Sequence, residues 1–312
     1  MNLSLEDYIT EIEIQNYSKS TVKNKKAILL QFERWLEESF KMELEDATTR
    51  HIKRYIKHLI DTGIKANTIN TRLKTLNNFY KFCIKEKILK DNPLEDIELL
   101  KEETVMIKPF SIQDIQKMLD FYCGSNYMDV RNKTILTCLF ETGIRSNELA
   151  SITLDDVFDD AILIRGKGNK QRLVPISLHL RKALIKYKRA REKYLKKYHN
   201  SKECPFLFVC TRSNGGDKPS NKPWGKMGHD AVLNVIKRSG KACGVNVKLL
   251  VHSTRRSFAQ LMLDQTDISV VQRLLGHSNI STTEKYINTI EDKSILEKGK
   301  VGIISLGKRR YS

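Results

Sequence analysis

The chain of 312 residues contains no apolar run near membrane-spanning length, no C-x-x-C pair, no glycine-rich phosphate-binding loop and no cluster of ligands at metal-site spacing. The first absence excludes a helical membrane span. Cys83, Cys123, Cys138, Cys204, Cys210 and Cys243 mostly sit among apolar neighbours, as buried thiols do, so a reducing cytoplasm is expected. Cys204 and Cys210 lie too far apart for a zinc knuckle. Without a nucleotide loop or metal cluster, the expected chemistry uses no cofactor. The N-terminus, Met1-Asn2-Leu3-Ser4-Leu5-Glu6-Asp7, lacks a basic region followed by an apolar one, so no secretion signal is expected. There is no internal repeat and no low-complexity segment.

Acidic charge is scarce, and unevenly so. The formal net charge is +18. Residues 1–100 hold 17 Lys and Arg against 16 Asp and Glu, whereas the remainder holds 38 against 21. An excess of this kind favours polyanions through release of condensed counterions. Anionic lipid is the competing partner, but no lipidation signal accompanies the charge. The length allows two domains with separate cores.

Residues 1–100 read as a bundle of about four helices. Ser18-Lys19-Ser20-Thr21 offers an N-cap before Val22, Leu29, Phe32, Trp35 and Leu36. Ile52, Tyr55, Ile56 and Leu59 follow helical spacing, with Gly63 placed as a left-handed cap. Ile69, Leu73, Leu76, Tyr80 and Ile84 repeat the pattern, and Asn92-Pro93 marks a stop. Lys23, Lys25, Lys26, Arg72 and Lys74 lie between the apolar positions, suited to phosphates, although a solvated face is the commoner role for any one of them. Residues 101–109 are charged, aperiodic and end in Pro109, as a linker would. Ser111 is then an N-cap, and an apolar helix over 131–142 stops at Gly143. Ala161–Arg165 and Gln171–Pro175 read as two strands joined by the turn Gly166-Lys167-Gly168-Asn169-Lys170. Residues 179–202 form a basic helix, 205–209 a buried strand or a short apolar connection, 213–224 a loop, and helices resume over about 226–287.

Polar residues of unusual combination punctuate this second part. Arg145 follows Gly143 on a sharp turn, a placement that holds a guanidinium rigidly for phosphate; pairing with Glu148 is the plainer alternative. Lys167 sits at the hairpin tip, where its ammonium suits proton donation to a departing oxygen, and Lys170 competes for that role. His252 and Arg255 share a helix face, with Ser253 and Thr254 keeping the first turn polar. His277 follows the capping Gly276, and Ser281-Thr282-Thr283-Glu284 is a capping box opening a short helix with Tyr286. Two guanidiniums, two imidazoles and a phenol fit attack on a phosphodiester without metal, the tyrosine oxygen being the nucleophile. The residues point to covalent phosphoryl transfer on DNA.

The segment from Leu274 to Tyr286 closely resembles the active-site segment of the tyrosine recombinase (phage integrase) family. Arg145 with Glu148 matches the family's first arginine motif, Lys167 its hairpin lysine, and His252 with Arg255 its H-x-x-R box. Thr254 and Arg256 depart from the usual leucine and histidine; Arg256 adds a candidate phosphate contact, as do Lys170 and Arg172 on the hairpin. The resemblance implies a mainly α fold with a small antiparallel β-sheet. A helical, SAM-like core-binding domain (1–100) and a mixed α/β catalytic domain (110–312) would close on duplex DNA as a C-shaped clamp. It further implies that Tyr286 forms a 3′-phosphotyrosine and that Arg145, Arg255 and His277 hold non-bridging oxygens. His252 would be base or donor, Lys167 general acid, and Glu148 an orienting group. The implied partners are duplex DNA with inverted-repeat sites, further copies in a tetramer, and a directionality factor or partner recombinase. A tail at about 288–312 would exchange between protomers. The start of the chain is expected to lack an arm-binding domain, as in Xer-type relatives. A type IB topoisomerase and a non-catalytic DNA-binding regulator are the competing functions.

Overall fold

The computed structural model describes residues 3–102, 108–166, 170–198, 204–210, 227–263 and 267–276. Chain contacts divide it into two units, Met1–Val105 and Met106–Ser312.

The first unit consists of α1 (Leu3–Ile14), α2 (Lys19–Phe40), α3 (Thr49–Asp61) and α4 (Ala66–Lys85). Ser18 caps α2, its hydroxyl accepting the Thr21 N–H at 3.2 Å. The apolar stripes read from the sequence meet in one core: Leu29, Phe32 and Leu36 with Ile52, Tyr55 and Leu59, and with Ile69, Leu73 and Leu76. Trp35 is only partly buried, its ring 5.0 Å from that of Tyr55. Each large side chain buried this way stabilises by roughly 1.5–3 kcal/mol. The stop expected at Asn92-Pro93 comes earlier. Helix α4 ends at Lys85, Lys87 adopts φ 61°, and the Ile88 N–H turns back to the Cys83 carbonyl at 2.8 Å. The buried Asn70 of α4 then holds the exit of the unit, donating to the Leu100 carbonyl and accepting the Leu100 N–H, both at 2.9 Å.

The second unit contains α5 (Ile112–Phe121), α6 (Tyr127–Thr142), α7 (Ser146–Ser151), β1 (Ala161–Arg165), β2 (Gln171–Pro175), α8 (Leu178–Tyr198), α9 (His229–Ala242), α10 (Val251–Leu263) and α11 (Ile268–Leu275). Helix α6 is buried on nearly every side because α5, α8, α9 and α10 all pack on it. It begins four residues before the expected 131, where the Asn126 side chain accepts the Asp129 N–H at 2.9 Å. The two strands form an antiparallel pair from Ala161↔Pro175 to Arg165↔Gln171. Ile162, Ile164 and Val174 point into the core while Leu173 is exposed, the period of two expected of a half-buried hairpin.

Residues 205–209 form the short apolar connection that was one of the two forms expected, with an isolated Thr153–Phe206 bridge and main-chain hydrogen bonds from the Leu154 N–H to the Pro205 carbonyl and from the Leu207 N–H to the Ile152 carbonyl. The buried Arg191 guanidinium also holds this stretch, reaching the Cys204, Phe206 and Leu207 oxygens at 2.8, 2.9 and 3.1 Å. Of the six cysteines only Cys83, Cys138 and Cys204 are buried, and Cys123 is exposed. No described helix is long and apolar enough to cross a membrane.

Candidate active site

Helix α6 ends where Gly143 takes φ 60°, and a Cβ there would lie 2.5 Å from the Phe258 ring, so only glycine permits this turn. The turn delivers Arg145 to the start of α7. Glu148, one turn on, accepts the Arg145 backbone N–H and its Nη1 donor, both at 2.9 Å. The plainer alternative for Arg145 is therefore present, yet its side chain stays 43% exposed while that of Glu148 is 5% exposed. Across from it, Arg172 of β2 places Nη1 and Nη2 on the two Glu148 oxygens at 3.1 and 2.8 Å. Burial alone would raise the Glu148 pKa, but the bonds from Arg172 and Arg145 hold it down at about 2. The group is a fixed anion between two guanidiniums.

Arg172, read from the sequence as a candidate phosphate contact, is turned inward. Its Nε also donates to the Leu274 carbonyl at 2.8 Å, and its side chain is 13% exposed. Arg255 is likewise turned inward. At 1% exposure, its Nη1 and Nη2 donate to the Gly143 and Leu275 carbonyls, both at 2.7 Å. A helix end leaves carbonyls without intrahelical donors, and cations there are favourable. Arg255 satisfies one such carbonyl on α11 and one on the turn after α6. Ser253 and Thr254 of the first turn are both buried, donating to the Lys248 and Val251 carbonyls at 2.6 and 2.8 Å. His252, on the same helix, is exposed. Desolvation by its surroundings, then the charges of Arg255, Arg145 and Arg256, hold its imidazole below the usual histidine value. Those three positive charges favour the neutral form of the imidazole.

Lys167, His277, Tyr286 and the tail lie outside the described residues. Lys170 is exposed, and its carbonyl accepts the Gly166 N–H at 2.7 Å at the base of the hairpin tip. In the first unit Lys23 and Lys74 are exposed and Lys26 is partly so. Lys25 is already engaged, donating to the Tyr8 hydroxyl at 3.0 Å and lying 4.9 Å from the Tyr17 ring centroid. Arg72 donates to the Tyr55 hydroxyl at 3.4 Å. One contact had no sequence signal at all. The Ser146 hydroxyl, next to Arg145, meets Nδ1 of His229 at 2.6 Å from 83 residues away.

Residues 110–292 match the phage integrase family, and residues 5–87 match the phage integrase N-terminal SAM-like domain. Tyrosine recombinase XerC of Bacillus licheniformis is 30% identical over 290 residues, covering 91% of each chain. Tyrosine recombinase XerD of Rickettsia bellii is 30% identical over 281 residues, 86% of this chain and 88% of its own. The crystal structure of XerH site-specific recombinase bound to palindromic difH substrate, a post-cleavage complex, has the same fold. Its TM-score is 0.71 at 21% identity, covering 95% of this chain and 83% of that one.

Proposed function

Because the chain belongs to the phage integrase family, we propose that it is a site-specific DNA recombinase that cleaves and rejoins strands through Tyr286. The phenolic oxygen attacks the scissile phosphorus and loses its proton to His252. The bond from phosphorus to the 5′ oxygen breaks, and that oxygen takes a proton from Lys167. A 3′-phosphotyrosine and a free 5′ hydroxyl remain. One phosphodiester replaces another, so the incoming 5′ hydroxyl of a partner strand reverses the step without ATP. Arg145, Arg255 and His277 hold the non-bridging oxygens, each donor being worth on the order of 3 kcal/mol in the transition state. Arg255 reaches its oxygen once the Leu275 carbonyl gives way to DNA.

The supporting observation is the shared carboxylate of Glu148. It joins the Arg145 turn to the hairpin strand, whose arginine reaches the end of α11, 102 residues on. Motif segments far apart in sequence are thereby gathered around one anion.

In this reading residues 1–100 grip duplex DNA and residues 110–312 perform the chemistry. A cleft between α2 and α4, lined by Asn24, Gln31, Asn67, Thr68, Thr71 and Arg72, offers amide, hydroxyl and guanidinium groups of the kind that read base edges. Inverted-repeat sites and a tetramer on two synapsed duplexes complete the assembly, with a directionality factor or partner recombinase setting the outcome. Plasmids carrying two sites from the DNA flanking the gene, or none, test the proposal. Recombinant products are expected only with paired sites, and none with Tyr286→Phe at unchanged binding. Relaxation of supercoils irrespective of sites would assign a topoisomerase instead.

A further inference from the structure

Arg172 stands at the junction of three described segments that lead to proposed catalytic residues. Its two terminal nitrogens fill both Glu148 oxygens, and its Nε holds the Leu274 carbonyl. One glycine makes room for this arrangement and a second lies beside it. A Cβ on Gly276, which has φ 66°, would lie 3.1 Å from both Cδ and Nη1 of Arg172. A Cβ on Gly166, at the hairpin base, would lie 3.6 Å from Glu148 Oε1 and 4.0 Å from Arg172 Nη1. The residue after Gly166 is Lys167, and the residue after Gly276 is His277. Glu148 itself holds the backbone and guanidinium of Arg145. One planar fork therefore touches the anchors of three chain segments.

From this geometry we infer that Arg172 is a positioning residue for strand cleavage. It sets the register between the Arg145 turn, the hairpin and the end of α11, and does so without touching DNA. The inference rests on the recombinase reading above. Two physical consequences follow from removing the fork. The Leu274 carbonyl loses a donor, which loosens the helix end that precedes His277. Glu148 is left to Arg145 alone, which draws that exposed guanidinium toward the carboxylate and away from phosphate. A lysine at 172 restores the charge but supplies no planar fork for a bidentate carboxylate and a third acceptor.

Single-turnover cleavage of a nicked suicide duplex, at saturating protein, tests this. Arg172→Gln is expected to lower the maximal rate on the order of a hundredfold, the usual cost of about 1 Å of misplacement. The protein concentration giving half-maximal cleavage, and the salt dependence of binding, should stay as in the wild type. Arg172→Lys should recover only part of the rate. Because Arg172→Gln strands a buried carboxylate and is prone to misfold, Glu148→Gln and the double variant are measured beside it. If Arg172 acts through Glu148, the double variant cleaves no more slowly than the slower single variant.

Three results would overturn the inference: a wild-type rate in Arg172→Gln, multiplicative losses in the double variant, or weaker binding with a salt slope reduced by about one, the mark of a phosphate contact. Failure of the recombinase reading is separate. In that case the wild-type protein itself forms no covalent adduct.

Discussion

Among the described residues, the first unit buries no Lys, Arg, Asp or Glu side chain, and its buried polar residues are Ser4, Asn70 and Thr75. The second unit buries Arg131, Glu148, Asp156, Arg191 and Arg255. Desolvating ions is costly, and buried pairs rarely add net stability. What guanidiniums add is direction. Arg191 and Arg255 each bond two or more main-chain carbonyls, and Arg172 bonds a carboxylate and a carbonyl. In the proposed recombinase, the unit that grips DNA would draw its stable platform from apolar area. A unit that aligns catalytic groups needs fixed angles and gets them from planar forks.

The contrast can be broken most forcefully at one position in each unit. Glu148→Ala leaves Arg172 and Arg145 without their carboxylate and should destabilise the second unit by about 3–5 kcal/mol. Phe32→Ala should cost the first unit a similar ~3–5 kcal/mol through its cavity. Hydrogen exchange of the full chain, read peptide by peptide, should show each loss confined to its own unit. Loss of protection in both units from either change would mean that their cores are not independent.

Acid sharpens the same contrast. The Glu148 carboxyl is depressed to about 2 from 4.5, so its contribution is fully present above about 4.5 and lost as pH falls toward 2. The second unit should lose exchange protection first on acidification. Glu148→Gln should flatten that dependence.

The smallest expected effect concerns His252. Its pKa lies below the ordinary value of about 6.5, so it is neutral and able to accept a proton at neutral pH. Cleavage should therefore hold its rate until the pH falls below about 6.5. Arg256→Gln removes one of the repelling charges and should move that acid limb upward by a fraction of a unit. An acid limb that stays put in this variant would remove His252 from the proton transfer.

What was legible in the sequence was local. The Ser18 and Ser111 caps, the stop at Gly143 and the strands over 161–165 and 171–175 depend on neighbours a few residues away. The gathering of Arg145, Glu148, His252 and Arg255 was legible only through resemblance, since no single motif carries it. Arg172 was read as a candidate phosphate contact because its partners lie 24 and 102 residues away in the chain. The early end of α4 was missed because Lys87 adopts a left-handed conformation without being glycine.

The most direct measurement is peptide mapping of the protein trapped on a nicked suicide duplex. The expected result is a single DNA-linked peptide, joined through the 3′ phosphate to Tyr286 and lost in Tyr286→Phe. A covalent link at another residue, or an adduct that survives Tyr286→Phe, would contradict it.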